Sequence, residues 1–163
     1  RGVPFAVGGR PDRRGGIASC SYAARRYGVH SAMPTARAMR LCPQLRIVSS
    51  HHRQYSAVSR AVMARLLALT PLVEQISIDE AFLEVTDLPD PAAIIARRLQ
   101  ATIRNALGLP CSLGVATNKL VAKIATDVGK ATARGAGPPN AIQVVPPGTE
   151  AAFLAPLPVQ ALW

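Results

Sequence analysis

An apolar, alternating stretch that turns back on itself at Asp79-Glu80 is the feature that most restricts what this chain can fold into. Val73, Ile76 and Ile78 fit a strand, with Ser77 and Asp79 on one face and the two isoleucines on the other. Phe82, Leu83 and Val85 read as the returning strand of a hairpin. On a regular strand adjacent side chains point to opposite faces, so Asp79 and Glu80 share a ligand only at a strand end or a tight turn. Oxygen donors gathered there suit Mg²⁺, which is typically held by one or two carboxylates together with substrate phosphates. For an isolated Asp-Glu pair a solvated turn is the commoner outcome, so the rest of the chain has to decide.

Around this hairpin the signals follow in a definite order. Val3–Val7 reads as a short strand, Arg10 to Gly16 as a loop rich in Gly and Arg, and Ile17–Cys20 as a second strand. Ser21 is placed to cap a helix closed by Gly28, and Thr35 to cap another that ends at Pro43. Arg53 to Leu69 predicts an amphipathic helix with Tyr55, Val58, Val62, Leu66 and Leu69 inward, stopped by Pro71. After the hairpin, Asp90-Pro91 opens a helix with Ile95, Leu99, Thr102, Ile103 and Ala106 inward. Cys111 to Ala116 is a strand, Thr117 or Asn118 caps a helix to about Val128, and 131–141 is a loop. Ile142–Val145 is the last strand, Pro146-Pro147-Gly148 a linker, and Glu150 to Leu154 a further helix. From Arg53 onward this is α+β packing, with helices against one face of a mainly antiparallel sheet.

Charge separates the chain differently. The net charge is +10, and from Arg13 to Val73 there are ten arginines and no aspartate or glutamate. Such a segment should bind polyanions in a salt-sensitive way. A compositional preference for Arg over Lys accounts for the three lysines, but not for 61 residues without an acid. Cys20, Cys42 and Cys111 lack metal-ligand spacing, as do His30 and His51-His52, and free thiols in a reducing, cytoplasmic setting are expected. No apolar run has the roughly 20 residues of a membrane span.

Four motifs in order resemble the Y-family translesion DNA polymerases, in the DNA polymerase IV branch. They are Ser21-Tyr22-Ala23-Ala24-Arg25-Arg26-Tyr27-Gly28-Val29, Ser31-Ala32-Met33-Pro34-Thr35 with Leu41-Cys42-Pro43, Ser77 through Val85, and Gly114-Val115-Ala116 with Asn118 through Ala125. The resemblance implies a basic fingers lobe at 1–51, a palm at 52–146 and the start of a helical thumb at 147–163. It implies transfer of a dNTP onto a primer 3′ end on primer-template DNA, past damaged template, with two Mg²⁺ ions. Asp79 would bridge the ions and Glu80 would bind the one that activates the primer hydroxyl. Ser19, Tyr22, Arg25 and Lys130 would contact the incoming triphosphate, and Arg10 the templating base. Lys119 and Lys123 fit a DNA-backbone track and a solvated helix face equally well.

The family's first metal-binding aspartate, with the aromatic gate that follows it, belongs before the segment matching Arg1–Phe5. The chain starts without methionine and stops in an apolar stretch at Trp163, so it reads as a fragment expected to be inactive alone. Sliding-clamp contacts would lie in the absent C-terminal region. After Lys130 the family's short turn is replaced by a longer small-residue insertion, which leaves the orientation of Lys130 open. The rival reading is a non-catalytic DNA-binding or scaffold relative, disfavoured because Asp79 and Glu80 are intact.

Overall fold

A side chain has no room at Gly15, where a Cβ would stand 2.5 Å from the Arg10 carbonyl oxygen and from Gly9 carbon. That closeness folds the Gly/Arg-rich loop tightly between the first two strands. The computed structural model describes residues 2–133 and 138–162. Among them the chain divides into two units, one of 2–52 with Pro138 and one of 53–133 with 139–162.

In the first unit β1 (Phe5–Gly8) pairs antiparallel with β2 (Ile17–Cys20), matching Ala6 to Cys20 and Val7 to Ser19. On its other edge β1 pairs in parallel with β3 (Arg46–Val48), a strand too short to show in the sequence pattern. Ser21 caps α1 (Tyr22–Arg25) by accepting from the Ala24 amide at 3.2 Å. Gly28 closes that turn at φ +80°. The second helix, α2 (Thr35–Leu41), departs from expectation because Pro34, not Thr35, is its cap. Thr35 is fully buried, and its hydroxyl donates to the Gly9 carbonyl while its amide donates to Gly15, so it pins both arms of the glycine loop. Ala6, Ile17, Cys20, Ala24, Val29, Met33, Ala38, Cys42 and Leu45 close the core. Cys20 and Cys42 are buried and unpaired, as expected.

The second unit is also α+β. Its long helix α3 (His52–Leu69) starts one residue before the expected bound. Its C-terminal half packs through Val62, Leu66 and Leu69, but Tyr55 and Val58 at the other end of the stripe are exposed, so the periodicity overstated its buried length. Next come β4 (Val73–Gln75) and β5 (Ala81–Leu83), antiparallel with Glu74 opposite Phe82, as the hairpin pattern required. Helix α4 (Ala92–Leu107) ends at Gly108 in the left-handed conformation, φ +66°. Ile95, Ala96, Leu99 and Ile103 are its buried face, whereas Thr102 and Ala106 lie outside it.

The strands β6 (Leu113–Val115) and β7 (Ile142–Val144) are parallel, Gly114 facing Gln143. The helix between them, α5 (Lys119–Thr132), is capped by Asn118, whose side chain accepts from the Val121 amide at 2.9 Å. A strand–helix–strand crossover of this kind returns the chain in the same direction, so this pair is parallel where a mainly antiparallel palm sheet was expected. The described strands of the unit form two separate two-stranded ladders. α5 extends past the expected end at Val128, and the first two positions of the expected 131–141 loop are helical; residues 134–137 of that loop lie outside the described residues. The unit finishes with α6 (Glu150–Leu154) and a 3₁₀ turn, Val159–Leu162. No helix among the described residues is long and apolar enough to cross a membrane.

Candidate active site

The loop joining β4 to β5 is residues 76–80, closed by the Ile76 amide donating to the Glu80 carbonyl at 2.9 Å and the Ser77 amide to the same oxygen at 3.2 Å. The expected strand therefore stops at Gln75, and Ile76 and Ile78 are exposed instead of lying on a sheet face. Ser77 explains the early stop. Its hydroxyl donates to Asp79 Oδ1 at 2.8 Å and accepts from the Asp79 amide at 3.3 Å, a local ring that competes with extended backbone. Gln75 Nε2 adds a bond to the Ser77 carbonyl at 2.9 Å. Adjacent Asp79 and Glu80 thus lie in one tight loop instead of on a regular strand.

Their partners differ. Asp79 is exposed and bound within its own loop. Glu80 is half-buried, and its Oε1 accepts from Lys123 Nζ on α5. Lys119, one turn earlier on α5, pairs with Glu74 and lies 5.9 Å from the Phe82 ring centroid, so it covers a cross-strand pair of the hairpin. Lys119 and Lys123 are therefore held by acids of their own unit, and a purely solvated face is not their arrangement. The Glu80 hydrogen bond raises the Lys123 ammonium above the ordinary lysine value, against the opposing effect of partial burial. Lys123 Nζ is also 3.7 Å from Asp127 Oδ2, and Lys130 Nζ is 3.7 Å from Asp127 Oδ1. This places Lys130 on the last turn of α5, tied to the same polar face.

No cluster of three or more His, Cys, Asp or Glu side chains that would hold a metal occurs among the described residues. The oxygen donors of two neighbouring carboxylates in an exposed loop are of the kind that suits a hard divalent cation, which keeps water and phosphate oxygens for its remaining positions. Asp79 and Glu80 are the residues that would hold it.

The other expected site residues belong to the first unit. Tyr22 is exposed, and the Arg25 guanidinium lies 5.7 Å from its ring centroid. Tyr22 is therefore not part of the core, and the two side chains lie within cation–π range on the surface of the unit. Ser19 is exposed on β2. Arg10 makes a two-pronged pair with Asp12, Nε to Oδ1 at 3.2 Å and Nη2 to Oδ2 at 3.1 Å. Glu84 and Asp87, beside the hairpin, are both exposed. Glu84 accepts from the Thr86 amide and hydroxyl, which lowers its pKa below the ordinary glutamate value.

Asp127 and the pairing roles of Lys119 and Lys123 do not follow from the sequence pattern of the hairpin motif. One signal was available: the three lysines of the chain, Lys119, Lys123 and Lys130, all fall on α5, with Asp127 between the last two at helical spacing.

In fold the chain is of the Y-family DNA polymerase class. It superposes on an insertion ternary complex of Dbh DNA polymerase with a TM-score of 0.85 and 30% identity, covering 97% of this chain and 46% of that one. A crystal structure of DinB from Sulfolobus solfataricus gives a TM-score of 0.86 at 29% identity, over 97% and 45%. The family model described as impB/mucB/samB matches residues 1–127, and the chain belongs to that family. DNA polymerase IV of Ralstonia nicotianae is 46% identical over 165 residues, which is 99% of this chain and 44% of that relative. The chain thus spans less than half the length of the relatives it matches.

Proposed function

We propose that the protein carrying this chain performs template-directed DNA synthesis past damaged template, adding a dNTP to the 3′ end of a primer. The observation that carries the reading is the placement of Asp79 and Glu80 side by side in the closed 76–80 loop. In this reading they contribute to holding two Mg²⁺ ions, which when bound would stabilise the attacking and leaving oxygens of an in-line displacement. Ser77 holds the Asp79 carboxylate, and Lys123 holds that of Glu80. The Tyr22–Arg25 pair presents a permanent forked cation suited to a polyphosphate, with Ser19 offering a hydroxyl and Lys130 a further ammonium. Arg10 reaches the templating base. The name DNA polymerase IV of the relative and the ternary-complex state of the Dbh neighbour support primer-template DNA and dNTP as partners. Residues up to 51 act as fingers, 52–146 as palm and 147–163 as the start of the thumb, in a cytoplasmic enzyme. A sliding clamp is a further partner of the whole protein.

Mg²⁺-dependent primer extension by the full-length protein tests this. Asp79→Ala and Glu80→Ala should each reduce extension by at least about 10²-fold, because each removes charge from where cations must sit. Extension within about tenfold of wild type in both variants would refute the reading.

A further inference from the structure

Glu80 and Asp79 are neighbours in sequence, yet among the described residues only Glu80 is held by a group from a distant element. Lys123 Nζ donates to Glu80 Oε1, and from the same position it is 3.7 Å from Asp127 Oδ2. A charge-assisted hydrogen bond needs about 2.7–2.9 Å, so the ammonium has only about 1 Å to travel to complete a bond to Asp127. Lys123 sits at the end of a flexible four-carbon stem and is half-buried. Asp127 and Lys123 are one turn apart on α5, so that second partner stays in reach wherever the helix goes. The carboxylate of Glu80 thus has a resident cation, and that cation has an alternative acceptor.

We propose that Lys123 competes with the divalent cation for Glu80, and that Asp127 takes over the ammonium when the divalent ion takes the carboxylate. This rests on the reading that Glu80 binds the ion. Lys123 occupies Oε1 of Glu80, and a divalent cation on the same carboxylate, at either oxygen, repels the ammonium, so ion binding favours the departure of Lys123. With Asp127 beside it, Lys123 leaves without becoming an unpaired charge. Without the ion it keeps Glu80 in place. Lys123 is a positioning residue here, acting through Glu80.

Mn²⁺ affinity, read by the loss of free-ion EPR signal on titrating the full-length protein, tests the proposal. The pair is part-exposed, so the effects should be those of a modest ion pair, about threefold to fivefold. Lys123→Met should tighten Mn²⁺ binding by that factor, and Lys123→Arg should stay near wild type. Asp127→Asn should weaken binding by a similar factor, but should have no effect in the Lys123→Met background. That non-additivity separates an exchange of partners from a general change of local charge, which would act equally in both backgrounds. Lys119→Met removes the same charge one turn away without touching Glu80 and should leave the affinity unchanged. Equal effects of Asp127→Asn in the two backgrounds, or a Lys123→Met affinity at or below wild type, would overturn the proposal. If Glu80→Gln leaves Mn²⁺ binding intact, Glu80 is no ligand and both this proposal and the functional reading on which it rests fall. Circular dichroism of each variant confirms that α5 is retained, and Lys123→Gln serves as the uncharged background, with the same expected outcomes, if the Met variant is unfolded.

Discussion

Gly114→Ala should be among the most damaging small substitutions in the second unit. Gly114 is the centre of β6, opposite Gln143 on β7, and α5 crosses directly over it. A methyl carbon at this position would stand 1.9 Å from the Ala122 carbonyl oxygen and 2.7 Å from both the amide nitrogen and Oγ1 of Thr126. Even a close C···O contact is about 3.3 Å, so helix and strand must separate by roughly 1.4 Å. Two of the three opposing atoms are backbone, and no rotamer change relieves them. Separation would loosen Val121 and Ala125 from Val145, which form a small core of their own. Overpacking costs about 1–3 kcal/mol, and with a rigid helix on the far side the upper end applies, about 3 kcal/mol. For a unit of roughly 100 residues that is a loss of about 10–20 °C in Tm. The comparison is Gly108→Ala, where nothing lies within 4 Å and only the left-handed φ of +66° is strained, at about 1–2 kcal/mol. Urea and thermal unfolding followed at 222 nm would rank the two. A Gly114→Ala variant no less stable than Gly108→Ala would refute the close-approach argument. The same shift of α5 would draw Lys119 and Lys123 away from Glu74 and Glu80, so the variant should also disturb the hairpin acids.

Thr86→Val removes the hydroxyl that contributes most to holding the Glu84 pKa down, so NMR titration should show that pKa rising toward the ordinary glutamate value. Because the folded pKa is the lower one, the stabilising contribution of this carboxylate is present above the unfolded pKa and fades as pH falls through the folded value, and the variant should lose that acid-limb dependence. DNA binding should be steeply salt-dependent, since Arg10, Arg13, Arg14, Arg25, Arg26, Arg37, Arg40 and Arg46 are all exposed in a segment whose one acid is Asp12. Neutralising about four phosphates gives a loss of about 10²-fold in affinity between about 50 and 200 mM salt, and anisotropy titrations showing a near-flat dependence would sink the polyanion reading.

What the sequence disclosed was what nearby residues decide. Asn118 at the start of α5, Gly108 at the end of α4 and Pro71 after α3 mark helix ends by backbone chemistry that needs no distant partner. The hairpin was legible for the same reason. Its strand end was not, because a hydroxyl ring at Ser77–Asp79 outweighed the alternation of Ile76 and Ile78. β3 is three residues long and exists by pairing with β1 some forty residues earlier, so no periodicity announces it. Tyr55 and Val58 continue the stripe of α3, but periodicity reports which side of a helix is apolar and says nothing of how far its cover extends.

The candidate site divides along the same line, and the division has a chemical consequence. Asp79 is fixed by Ser77 two residues before it, so the folded loop alone suffices to orient that carboxylate. Glu80 is held by Lys123, 43 residues later, and so depends on α5 being docked on β6. The docking in turn relies on Gly114 having no side chain. A motif can therefore place two acids at a bend while leaving open which of them a tertiary contact controls. Damage to the helix–strand contact should disturb Glu80 before Asp79, and damage at Ser77 should do the reverse. Two carboxylates that differ by one position in the chain are in this way governed by separate parts of the fold.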